Sequence, residues 1–452
     1  MSFVLTLLIL SNVGVASWYA ARKCWSKQGI EFNHVLAFTF GFLFYWIVPV
    51  ALGTWRLFDD MPAMSAWYGI FDGIGEAKLA GYLLICMGAY VSFAIGTERG
   101  ERRPVKGPAP DTKRFLNIDL MNGYLLLAVV FALVAGFVIR GDFFKGYSKV
   151  GNVEDLNSRG GTVFGAVMAF SISLWILYAS MRYQKLKQHA TVSAVFANRF
   201  LALYAVEAAL AVSMGSRYIV LSSAFMFTTY CSVYFKRWSL ATMCSFLVLL
   251  LVFALFVGAL RADLKVTQSP GEIAFGGLAE TVNDSLSLTY FLSNYSFGVL
   301  RWPAFLISDY IYLVPRVFLP TKDSMILSPE DSGLHIENPV GGVNSFFSFM
   351  VNFGALGTMV FLFLFSFGMG FLKSRRGSIL ARAMYCMISG WLLISFFRNP
   401  FEVSLVKDIF QMSIVVPAFV LGSVYFLSSP QAEPKAQRQA MARLGEHGAD
   451  AT

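Results

Sequence analysis

Charge, histidine and organised cysteine are what this chain has least of. Only 14% of its 452 residues are charged, and it holds four histidines and five cysteines. There is no CxxC, no HExxH and no histidine cluster, so no metal site is expected, and no other cofactor either. Cys86, Cys231, Cys244 and Cys386 fall inside apolar runs and Cys24 stands beside one. None lies in the long polar stretch described below, which excludes a disulfide framework there.

What is abundant is apolar surface. Hydrophobic residues make up 56% of the chain, with 44 Phe, more than a soluble domain of this size can bury. Runs of about 18 or more apolar residues predict membrane-crossing helices. Eleven such runs occur, near 3–20, 34–53, 78–96, 119–139, 163–181, 200–215, 217–235, 239–260, 344–371, 378–397 and 405–427. The sixth and seventh are split only by Gly215-Ser-Arg217. The first has neither a basic leader nor a small-residue cleavage site, so it reads as a span. The expected fold is all-α and integral to the membrane, in one polytopic domain over 1–428. The Ala- and Gln-rich tail at 429–452 has the composition of a disordered end. No internal repeat pairs the two halves, which weighs against a secondary transporter.

Lys and Arg are unevenly shared between the loops. Arg22, Lys23, Lys27, the cluster from Arg99 to Arg114, Arg182 to Arg199, Lys236-Arg237, Lys373 to Arg382 and the tail all follow odd-numbered spans. The side rich in Lys and Arg is cytoplasmic. The N-terminus is therefore expected outside and the C-terminus inside. The net charge of +9 is a topology signal and implies no nucleic acid. The Arg-, Lys- and Pro-rich connector from Thr97 to Asp119 suits anionic membrane lipids.

One polar stretch, 261–343, breaks the apolar series and is expected as a large loop facing the periplasm or cell exterior. Within it, Ile307 to Phe318 is apolar but interrupted by Asp309 and Arg316, which fits short amphipathic helix lying on the outer leaflet. The outward arginines are the chief candidates for chemistry. Arg140, Arg217, Arg261 and Arg398 stand at span ends, at lipid-headgroup depth, and Arg301 and Arg316 lie in the loop. A guanidinium offers paired donors to phosphate oxygens, and several together would hold a diphosphate. Arginine at a span end also snorkels to the interface without touching any substrate. Arg217 is the strongest of the set, because its outer turn is so tight. Glu207, inside the sixth span, is either functional or bonded within the bundle. His335 and Glu337 are candidate general bases for a sugar hydroxyl, set against ordinary solvated loop residues.

Eleven spans, the tight Gly215-Ser-Arg217 turn, the late outer loop and the re-entry through Gly341-Gly342 and Asn352-Phe-Gly-Ala-Leu-Gly357 resemble the Wzy-type oligosaccharide repeat-unit polymerases of bacterial surface polysaccharides. The likeness runs from about Arg140 to Asp408. It implies a GT-C-like, metal-independent glycosyltransferase that joins undecaprenyl diphosphate-linked oligosaccharides for O-antigen, capsule or exopolysaccharide. It also implies a flippase and a chain-length-regulating membrane protein as partners. Diphosphate binding would fall to Arg217, Arg140, Arg261, Arg301, Arg316 and Arg398, and acceptor activation to His335 or Glu337. An acidic pair in the first outer loop is a GT-C habit, and Asp59-Asp60 stands there, although two adjacent loop acids are common. Some members pair an arginine with a glycine eleven positions on. Arg140 and Gly151 do so, whereas Arg261, Arg301 and Arg316 reach Glu272, Tyr312 and Leu327. The related O-antigen ligases begin the span after the loop with His, where this chain has Val343. Ligase and lipid-linked oligosaccharide flippase are the alternatives. Close helix approach is expected at Gly354 and Gly357.

Overall fold

The computed structural model describes residues 2–57, 62–102, 167–180, 217–261, 285–298, 318–325, 344–375, 377–400 and 404–427, with single positions at 130, 205, 208, 307, 308, 310, 311, 314 and 327. These are mostly helical, and five helices are long and apolar enough to cross a membrane. They are α1 (Phe3–Cys24), α2 (His34–Trp55), α4 (Glu76–Glu101), α9 (Ser345–Ser374) and the first 21 residues of α12, which runs from Ser404 to Leu427. The other helices are α3 (Pro62–Asp72), α5 (Val167–Ser180), α6 (Arg217–Tyr230, extended by a π turn to Phe235), α7 (Leu240–Arg261), α8 (285–294), α10 (Ile379–Trp391) and α11 (Ser395–Arg398). The expected runs at 119–139 and 200–215 lie outside the described residues, apart from single positions.

Local sequence accounts for the helix ends. The Ser2 hydroxyl accepts from Leu5 N–H to cap α1, while Arg22 and Lys23 face the negative end of its dipole. Asn33 caps α2 through Val35 and Leu36 N–H, Asn344 caps α9 through Phe346, and Ser378 caps α10 through Ala381. Two spans widen into π turns, Phe42–Ile47 in α2 and Ser404–Val415 in α12. Each lies just ahead of a proline, Pro49 or Pro417, whose missing N–H cannot continue the α ladder.

The packing axis is the crossing of α4 and α9. A Cβ on Gly100 would stand 2.2 Å from the carbonyl oxygen of Phe367, one on Gly96 2.2 Å from that of Phe363, and one on Gly370 2.7 Å from that of Thr97. The two backbones touch because Gly96 and Gly100 form a small-residue ridge, the device that substitutes for a hydrophobic driving force in lipid. At Gly357 the expected close approach is not made, since a Cβ there would meet only Phe353 of its own helix. Gly354 breaks α9, at φ 62° and ψ −175°, a backbone region open essentially to glycine alone. The freed N–H of Ala355 donates to the Phe297 carbonyl at 3.3 Å. The expected span at 378–397 is likewise broken, between α10 and α11 at Leu392–Ile394. Both breaks are filled by aromatic rings. Phe396 lies against Phe349 and Phe365, and Phe397 against Trp46 and Phe38.

Candidate functional site

The helices present two chemically different ends. At one, α1, α4 and α9 finish and α2 begins, and charge is neutralised internally. Lys23 Nζ lies 2.9 Å from Glu98 and 2.7 Å from Glu101; Lys373 Nζ lies 2.6 Å from Glu31 and 2.9 Å from Glu101; Arg237 reaches Glu31 at 3.2 Å. Asn33 donates to the same Glu31 carboxylate at 3.1 Å. Three cations and three carboxylates staple together α1, α4, α9, the turn before α2 and the segment after α6. A two-residue hairpin, Trp25–Ser26 with Gly29–Ile30, seats that turn, and Ile30 bridges to Trp238. Burial works to raise the Glu31 pKa, but Lys373, Asn33 and Arg237 outweigh it and hold the carboxyl below its ordinary range. Just beneath, the buried His34 ring sits 2.9 Å from the Tyr385 hydroxyl and 3.3 Å from that of Thr97. This end is the one rich in Lys and Arg, and among its described residues Lys23, Arg237 and Lys373 spend their charges on holding the bundle.

The opposite end collects α1's start, α2's end and the loop connections. Arg56, in the left-handed conformation that stops α2, pairs with Asp72 at 2.6 Å and stacks over Tyr68, so this arginine is engaged in structure. The re-entry from the large loop is pinned at several points. Asn344 N–H donates to Ser287 (2.9 Å), Asn344 Nδ2 to the Tyr45 carbonyl (3.0 Å) and Trp46 Nε1 to Ser345 (3.2 Å); Trp67 Nε1 donates to Ser285 (2.9 Å).

Three of the six candidate arginines are described, and all three stand at this end. Arg217 is the first residue of α6, Arg261 the last of α7 and Arg398 the last of α11. Their common level follows from the chain path. α6 and α7 form an antiparallel pair joined at Lys236–Ser239, and α10 packs on α6 with Gly390 seated against the Ser222 carbonyl and Met226. Arg382 at the start of α10 lies over the Tyr234 ring at 5.2 Å, which fixes the opposite end of the same pair. Arg140, Arg301, Arg316, His335 and Glu337 lie outside the described residues, as do Glu207 and Asp59-Asp60.

On either side of Arg398 the chain builds a hydrogen-bonded polar cluster. The Ser395 hydroxyl donates to Asp408 Oδ2, Asn399 Nδ2 donates to Ser395 Oγ at 2.8 Å, and Ser404 Oγ donates to the Ser395 carbonyl at 2.9 Å. The widened first turns of α12 hold Asp408 there, and Ser413 Oγ donates to its carbonyl at 2.6 Å. Tyr310, from the apolar segment of the large loop, lies 6.4 Å ring to ring from Phe410 of α12. Sequence reasoning singled out Arg398 and missed Asp408. The available signal was a lone carboxylate just inside an apolar run. Chemically, the junction at Arg398 offers one carboxylate beside several hydroxyls. No protein-family model, no curated protein and no solved structure matches this chain.

Proposed function

We propose that the chain is an inner-membrane glycosyltransferase that polymerises undecaprenyl diphosphate-linked oligosaccharide repeat units at the periplasmic face, releasing undecaprenyl diphosphate. The observation that carries this reading is the separation of charge between the two ends. Lys23, Lys373 and Arg237 at the Lys- and Arg-rich end are held in ion pairs, and Arg217, Arg261 and Arg398 stand at helix termini at the other. In this reading those arginines take the diphosphate of the donor and stabilise it as it departs, with Arg140, Arg301 and Arg316 as further members. A general base must accept the proton of the acceptor hydroxyl, and His335 and Glu337 are its candidates from the sequence. Energy comes from the lipid diphosphate leaving group, so the protein's task is to align two large lipids and neutralise charge.

The test is incubation of the protein in nanodiscs with a lipid-linked repeat unit, without nucleotide sugar or added metal. A ladder of two, three and more repeats supports the polymerase. Transfer only after addition of a lipid A-core acceptor identifies a ligase, and silence in both arms brings a flippase forward. With the ladder in hand, Arg217→Ala should lower the rate about a hundredfold or more, the loss expected from removing one preorganised donor. Arg217→Lys should recover little, because an ammonium lacks the paired planar donors. Full activity of Arg217→Ala removes this residue from the site.

A further inference from the structure

Asp408 is the fifth residue of its span, about 6 Å below the helix start at the rise of an α-helix, and somewhat less for its π geometry. A carboxylate at that depth normally has a cation beside it, as Glu31, Glu98 and Glu101 do at the other end. Asp408 has none within ion-pair distance among the described residues; the only side chain hydrogen-bonded to its carboxylate is Ser395, on one oxygen. That contact is itself oriented, since Asn399 donates to Ser395 and Ser404 holds the Ser395 carbonyl. The chain has thus arranged two spans, one ending at a break and one widened by π turns, around a carboxylate oriented through one oxygen. Arg398, a candidate donor-diphosphate ligand, lies in the same junction.

Building on the polymerase reading, we propose that Asp408, in place of His335 or Glu337, is the general base of the transfer, the residue that activates the acceptor hydroxyl. The acceptor sugar oxygen attacks the anomeric carbon of the donor and forms the new C–O bond. The bond from that carbon to the diphosphate oxygen breaks, and its electron pair leaves on the lipid diphosphate. The hydroxyl proton passes to the Asp408 oxygen not held by Ser395 and from there to water, restoring the carboxylate. Ser395 is a positioning residue that keeps the other oxygen turned away.

The experiment uses the full-length protein in nanodiscs with the lipid-linked repeat unit and follows kcat and KM for chain growth. Asp408→Asn keeps an oxygen that accepts from Ser395, so a purely structural role predicts kcat within about threefold of wild type. A general base predicts a kcat loss of about a hundredfold or more with KM little changed. Asp408→Glu is the second variant. It keeps the charge and displaces it by one methylene, and kcat should fall at least tenfold at unchanged KM. Wild-type kcat in either variant overturns the assignment and leaves the polymerase reading standing. Absence of any ladder from the wild-type protein overturns that reading, and the base with it.

Discussion

Lys373 offers the sharpest test of how this fold is held. Its ammonium lies between Glu31 and Glu101 at 2.6 and 2.9 Å, and Lys373 and Glu31 are 12% and 5% exposed. At these separations each attraction is roughly 6 kcal/mol for an effective dielectric near 20, before desolvation is subtracted. Lys373→Met removes both attractions and leaves two carboxylates facing each other with only Lys23, Arg237 and Asn33 in support. Breaking a buried pair by removing one partner destabilises by about 3–5 kcal/mol, because the surviving charge stays desolvated. The expected result is a folded fraction lowered by a factor of about a hundred to a few thousand in its equilibrium constant. This is measurable by reversible unfolding in mixed detergent micelles. The triple variant Lys373→Met, Glu31→Gln, Glu101→Gln should recover much of the loss, since neutralising all three removes the uncompensated charge. Lys373→Met with stability within about 1 kcal/mol of wild type would refute the view that this network staples the bundle.

Two further outcomes follow from the same geometry. Gly354→Ala places a Cβ in a conformation that only glycine adopts freely and should destabilise by about 1–3 kcal/mol; Gly100→Ala should do likewise by forcing α4 from α9, both read in the same unfolding assay. The Glu31 carboxyl is held below its ordinary range in the folded protein. Its stabilising contribution is therefore complete above the unfolded-state pKa and is lost as pH falls through the lower folded value. Acid should thus weaken the wild type more than a Glu31→Gln variant, and equal acid sensitivity of the two would count against that linkage.

Much of the architecture was legible without coordinates. The spans at 3–20, 34–53, 78–96, 344–371 and 405–427 announce themselves because lipid demands about 20 consecutive apolar residues with every backbone group bonded locally. Charge sidedness is equally one-dimensional, and the contacts of Lys23, Glu101, Arg237 and Lys373 place those residues at one common end. The positions of Arg217, Arg261 and Arg398 at helix termini were readable for the same reason, as places where an apolar run stops.

Pairing was not readable. Glu31, Glu101 and Lys373 are far apart in the chain, and no periodicity links them; only the α4–α9 crossing brings them into contact. The glycines show the same division. Gly96, Gly100, Gly354 and Gly357 look alike as residues in apolar runs, yet two face the backbone of another helix and one carries a positive φ, a difference set by what packs against each. Composition and spacing determined that the chain is helical, where its spans begin and which end gathers its basic residues, because those depend on transfer into lipid along the sequence. Tertiary structure alone decided which charges neutralise one another and that Asp408 meets Ser395 at a widened turn, because ion pairs and hydrogen bonds depend on distances across helices that the linear order does not encode.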